Sequence, residues 1–192
     1  MNMLISKHFE EHRSVHNKTC HLEDSIEKIA NLLINCLKKN GTIFWCGNGG
    51  SASDSQHLAG ELVGRFEGDR RPLKSIALNA DSAVMTCIIN DYSYEQVFAR
   101  QLEALGSKGD VLVGISTSGN SKNVIEAFKQ ANKKSILTIG LFGNKGGNAS
   151  DFVKHSVIVP SATTARIQEM HILIGHILCD LIEEELDLKK LE

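Results

Sequence analysis

Four side chains of this 192-residue sequence have the types and spacing for metal binding or proton transfer. His57 and Glu61 lie four residues apart, so on a helix both project from one face. Two side chains that share a metal ion or a proton need that spacing, although an isolated His-x-x-x-Glu is also common on a solvated face. Near the other end, Gln168, Glu169, His171 and His176 interrupt the apolar run Met170, Ile172, Leu173, Ile174, Ile177, Leu178, Leu181. Histidines in a largely buried helix need partners. Gln168 and His176 are eight residues apart, roughly 12 Å along a helix axis. One ion meets both only if their side chains converge from opposite ends or a second subunit contributes, which hints at a site between subunits.

Two turns could supply the ligand's other contacts. Cys46-Gly47-Asn48-Gly49-Gly50-Ser51-Ala52-Ser53 combines three glycines and two hydroxyls where a helix begins, and Ser116-Thr117-Ser118-Gly119-Asn120-Ser121 crowds four hydroxyls at the start of another. Hydroxyls and unpaired amides at the positive end of a helix dipole form a phosphate cup without lysine. Either turn alone is equally an ordinary capped turn. Neither is a nucleotide fingerprint, because GxxxxGK[ST] and GxGxxG are both absent. The expected ligand is a phosphorylated metabolite.

The elements that position these residues follow from periodicity. Leu22, Ile26, Ile29, Ala30, Leu33 and Leu37 recur at helical spacing up to Asn40-Gly41, and a weaker helical pattern runs from Leu4 to Val15. Residues 1–40 thus read as a two-helix arm suited to packing on a neighbouring subunit. Beyond it, short buried-strand runs at Thr42–Cys46, Ser75–Leu78, Val111–Ile115, Ile136–Ile139 and Val157–Val159 alternate with helical segments at Ser51–Phe66, Ala83–Asn90, Tyr94–Leu105, Ser121–Asn132 and Thr164–Leu186. That alternation predicts an α/β fold, a doubly wound five-stranded parallel sheet in one unit over 41–192, closed by a long C-terminal helix. Ligands of such sheets sit at the carboxyl ends of the strands.

Composition narrows the function. With 21 basic and 23 acidic side chains the formal charge is −2, too little positive charge for a nucleic-acid binder. No apolar stretch is long enough for a membrane-spanning helix and the N-terminus lacks a signal-peptide core, so a cytoplasmic protein is expected. The five cysteines are widely spaced without a CxxC pair and read as reduced core residues. Trp45 reads as a core residue, and the His8, His12, His16 series as an exposed helical face.

Together these segments resemble the sugar isomerase (SIS) family, and within it the phosphoheptose isomerases. The resemblance rests on CGNGGSASDSQHLAGELVGRF (Cys46–Phe66), IIND (Ile88–Asp91), GISTSGNS (Gly114–Ser121) and RIQEMHILIGH (Arg166–His176), in order over nearly the whole chain. It implies a flavodoxin-like SIS fold and conversion of sedoheptulose 7-phosphate to D-glycero-D-manno-heptose 7-phosphate through an enediol, on the way to lipopolysaccharide or capsule. It further implies a homotetramer with active sites between subunits and one zinc per subunit, held by His57, Glu61, Gln168 and His176. By the same resemblance Glu61 is the base and His176 its partner acid, although a zinc-bound carboxylate is a weaker base. Ser116, Thr117, Ser118 and Ser121 would hold the phosphate, with Asn48, Gly49, Gly50, Glu61, Asn90, Asp91 and Gln168 on the sugar and Arg65 and Arg166 as secondary anion candidates. The chain departs from many relatives at Ala165, where they carry an aspartate.

Two other classes of function compete. A non-catalytic SIS protein that binds the replication initiator shares the alanine at position 165 but lacks the catalytic glutamate and the second helix histidine, both present here as Glu61 and His176. A phosphosugar-sensing regulator would need a DNA-binding domain, and residues 1–40 are too short and not basic enough for one.

Overall fold

A computed structural model of the chain describes residues 2–186; residue 1 and residues 187–192, the ends of the two expected spans, lie outside the described residues. Five strands form one parallel sheet: β1 (Ile43–Gly47), β2 (Ser75–Ala77), β3 (Val111–Ser116), β4 (Leu137–Gly143) and β5 (His155–Val159), in the order β2-β1-β3-β4-β5. This is the expected doubly wound sheet, in the flavodoxin-like strand order. The helices are α1 (Asn2–Thr19), α2 (Glu23–Lys38), α3 (Gly50–Val63), α4 (Ser82–Asp91), α5 (Ala99–Leu105), α6 (Lys122–Lys133) and α7 (Thr164–Glu185).

Successive strand residues point to opposite faces, which creates two cores. Ile43 and Trp45 of β1, with Val113 of β3 and Leu141 of β4, pack against α2, α3 and α7. Phe44, Cys46, Leu112 and Phe142 meet the layer of α5 and α6. Trp45 is buried as expected, and its Nε1 donates to Ser75 Oγ at 2.9 Å. Of the two helices before residue 40, α2 belongs to the first core through Ile29, Leu33 and Leu37. Asn40 ends it in the left-handed conformation, φ 62°, that a helix C-terminus favours. α1 stays largely exposed, with Met3, Leu4, Ile5 and Phe9 in solvent.

Three segments differ from the sequence-based expectation. The helix expected over Tyr94–Leu105 is broken into a 3₁₀ turn and α5, so that Val97 and Phe98 both reach the core. β4 runs on to Gly143, four residues beyond the predicted end. α3 stops at Val63 and leaves residues 64–74 as an irregular strap. Cys36, Cys46 and Cys179 are buried, but Cys20 and Cys87 are exposed, in the α1–α2 turn and on α4.

Candidate active site

β1 and β3 are neighbours whose following helices leave to opposite faces, the switch point at which doubly wound sheets bind ligands. A cavity of about 250 Å³ opens there. Asn48, Gly49, Gly50 and Ser51 line it from the β1–α3 turn, Ser116, Thr117 and Ser121 from the β3–α6 turn, and Thr164 and Gln168 from the first turns of α7. Three helix N-termini therefore face one cavity, and none of the three has a side-chain cap. Their aligned dipoles, without a side-chain cap to offset them, favour an anion. α4, away from the cavity, is capped in the usual way, with Asp81 Oδ1 accepting from Val84 N at 3.0 Å.

The hydroxyls are held by each other and by the main chain. Ser116 Oγ lies 3.1 Å from Ser121 Oγ and accepts from Gly119 N at 3.1 Å. Gly50 lets the Gln168 amide lie against the main chain, and a Cβ there would push Gln168 Nε2 away from the turn. Asn48 is fixed by Asn123, a fully buried residue of α6: each side-chain amide donates to the other, at 2.9 and 2.8 Å.

Further along α3, His57, Glu61 and His176 come together. His57 Nε2 stands 3.0 Å from His176 Nε2 and 3.1 Å from Glu61 Oε1, and the three potential ligand atoms lie within 4.8 Å of one another. One imidazole proton serves a second imidazole and a carboxylate poorly, whereas a shared cation satisfies all three donors. Two imidazoles and a carboxylate also match the donor preference of zinc. Gln168 lies against Gly50 at the cavity end of α7, two helical turns from His176. One turn before His57, Asp54 Oδ2 is buried with no hydrogen-bond partner among the described residues. Burial pushes that carboxyl up, and the nearby His57 and His176 oppose the shift.

The cluster is braced from behind by the strap. Glu183 of α7 accepts from the backbone N–H groups of Phe66, Glu67 and Gly68 at 3.0–3.1 Å and pairs with Arg70 Nε at 2.6 Å. Burial alone would raise its pKa, but hydrogen bonds from those amides and Arg70 outweigh it and hold the carboxyl down at about 2. Arg70 in turn donates to the carbonyls of Glu61 and Leu62, the open end of α3. The Phe66 ring stacks on His176 with centroids 5.5 Å apart.

Other sequence candidates lie outside the cavity. Ser118 is exposed and its Oγ accepts from Asn120 N. Asn90 and Asp91 occupy the exposed end of α4, bonded to each other at 2.8 Å. Arg65 is exposed and donates to Glu67 O. Arg166 is buried and engaged: it binds Glu169 at 2.5 Å and His8 O at 2.7 Å, and Glu169 also meets His12 at 2.7 Å. These contacts dock α1 on α7, so His12 is more than part of an exposed face. Ala165 is exposed. His171 is fully buried, with Nε2 bonded to the Phe142 carbonyl at 3.0 Å. Sequence reasoning missed Thr164, Asn123, Phe66, Arg70 and Glu183. Only Thr164, in a hydroxyl-rich start to a helix, carried a local signal.

Comparison with known proteins places these observations in context. The SIS domain model matches residues 8–143. A phosphoheptose isomerase of Campylobacter jejuni serotype O:6 is 51% identical, covering 94% of this chain and 97% of the relative. One from Helicobacter pylori strain 26695 is also 51% identical, over 94% of each. The structure of phosphoheptose isomerase from Neisseria gonorrhoeae superposes with a TM-score of 0.91 at 42% identity, covering 95% of this chain and 98% of that one.

Proposed function

We infer the activity from one premise: the chain belongs to the SIS domain family, and its relatives over 94% of its residues are phosphoheptose isomerases. It is an aldose–ketose phosphosugar isomerase that converts sedoheptulose 7-phosphate to D-glycero-D-manno-heptose 7-phosphate. The observation that carries the reading is the meeting of Glu61 and His176, from helices far apart in sequence, beside an uncapped anion cavity. Nothing in the comparisons favours the rival that binds the replication initiator.

The dimensions suit a seven-carbon substrate. Eight bonds separate C1 from the phosphorus, an extended length of about 10 Å. Ser51 in the cavity and His57 and Glu61 on the same helix are six and ten residues apart, about 9 to 15 Å along its axis. With the phosphate among Ser116, Thr117, Ser121 and the helix N-termini, an open-chain sugar brings C1 and C2 to the cluster. Glu61 takes the proton from C1, which generates the enediol, and returns it to C2. His176 gives a proton to O2 and receives the one leaving O1, so the exchange closes without net change on the protein. Asn48, Gly49, Gly50 and Gln168 orient the chain. His57, Glu61 and His176, with Gln168, are the residues proposed to hold one zinc ion per subunit, which when bound would polarise the substrate oxygens as a Lewis acid.

The assembly we propose is a homotetramer in the cytoplasm, with the product entering lipopolysaccharide or capsule synthesis as an activated heptose. The exposed apolar residues of α1 support subunit contacts of the N-terminal arm. Among the described residues no helix is long and apolar enough to cross a membrane.

The test is turnover of sedoheptulose 7-phosphate by the purified protein, with the sugar followed by NMR before chelation, after it and with zinc restored. Activity lost on chelation and recovered with zinc is the expected result. A folded protein inactive under every metal condition overturns the reading, and activity indifferent to chelation removes the metal from it.

A further inference from the structure

α3 carries His57 and Glu61, α7 carries His176, and the strap after α3 joins that helix to β2. Its contacts show a second purpose. Arg70 and Glu183 have no exposed side-chain surface. Burying such a pair incurs a desolvation cost, and well-packed apolar residues often do as well or better for stability. What apolar residues cannot do is fix hydrogen-bonding groups. Here Glu183 fixes three successive N–H groups of the strap, and Arg70 fixes the last carbonyls of α3, Glu61's among them. The pair therefore locks the end of α3 to α7, and it fixes the main chain from which the Phe66 ring extends.

That ring lies on His176. The imidazole is bracketed, with Phe66 stacked on it at an interplanar angle of 28° and His57 tilted at 51° with centroids 5.1 Å apart. His176 is only partly buried. Without a wall at its side the ring is free to take other rotamers, and a proton-transfer group displaced by about 1 Å loses up to 100-fold in rate.

We propose that Phe66 is the positioning residue of His176, held in place by the buried Arg70–Glu183 pair, so that one brace behind the site sets the geometry of both Glu61 and His176. The inference rests on the isomerase reading, and it assigns Phe66 no contact with substrate.

The experiment compares Phe66→Leu, which removes the ring, with Phe66→Tyr, which keeps it, in turnover of sedoheptulose 7-phosphate and in thermal unfolding. The expected result is a fall in kcat of about 10- to 100-fold for the leucine variant with KM within about twofold, and near wild-type kcat for the tyrosine variant. Equal losses in both variants, an unchanged kcat in the leucine variant, or an effect confined to KM overturns the proposal. A second readout is independent of turnover: the Phe66 ring current shields the His176 ring protons, so their NMR signal moves downfield in the leucine variant, and an unmoved signal also overturns it. Should the leucine variant not fold, Phe66→Met bears the same two expectations. Wild-type protein that fails to turn over the sugar defeats the isomerase reading instead, and the NMR comparison still decides whether the Phe66 ring lies against His176.

Discussion

The cavity at the ends of β1 and β3 is lined by main chain, hydroxyls and amides without one ionisable side chain, whereas the cluster at the α3–α7 contact consists of three titratable groups braced by a buried ion pair. In the cavity, charge would be shared among the N-termini of three helices, so each hydrogen bond bears a small part of the load. In the cluster each side chain has a task that its neighbours cannot take over. The contrast separates binding from chemistry: damage to the cavity should appear in KM and damage to the cluster in kcat.

Glu61→Gln breaks that division most severely. The amide keeps the shape but cannot accept a proton, and kcat should fall by about 10²- to 10⁴-fold with the fold intact and KM nearly unchanged. An effect on KM alone, in steady-state kinetics, would put Glu61 among the binding groups and dissolve the distinction.

Acidification acts on the cluster's support while the cavity lining has nothing to protonate. Burial holds the imidazole of His171 down at about 4 against a usual 6.5, with the bond to the Phe142 carbonyl opposing. The folded state thus favours neutral His171, and its contribution to stability is complete above pH 6.5 and lost as pH falls towards 4, in all about 3 kcal/mol. Protonation of Glu183 removes more stability as pH falls from its ordinary value of 4.5 to about 2. Urea-unfolding midpoints from pH 7 to pH 4 test this, and a flat profile would show that α7 is not held by a neutral buried histidine.

The smallest effect belongs to a single cavity hydroxyl. In Ser121→Ala one hydrogen bond to a charged group is lost, worth about 1.5 kcal/mol, so KM should rise about tenfold while kcat stays within twofold. A large fall in kcat would mean that the cavity takes part in the chemistry.

Much of the arrangement was legible because its causes are local. Apolar runs between helical segments gave the five strands, since parallel strands buried on both faces need continuous hydrophobic residues. Both glycine- and serine-rich turns announced an anion cavity for the same kind of reason: unpaired amides at a helix start depend on residues next to them in the chain. Spacing placed His57 and Glu61 on one face. The split of α5 was invisible, because Val97 and Phe98 break a local period to satisfy a distant core.

By itself, then, the sequence determined the sheet, the cavity-forming turns and the list of residues able to do chemistry. Whether those residues meet was decided by packing. His57 and His176 are 119 residues apart, Phe66 and Glu183 117, and Asn48 and Asn123 75. Nothing in a residue's neighbours along the chain specifies such partners. They are selected when α3 and α7 bury their apolar faces against the same side of the sheet, and the polar groups left between the helices must then satisfy one another.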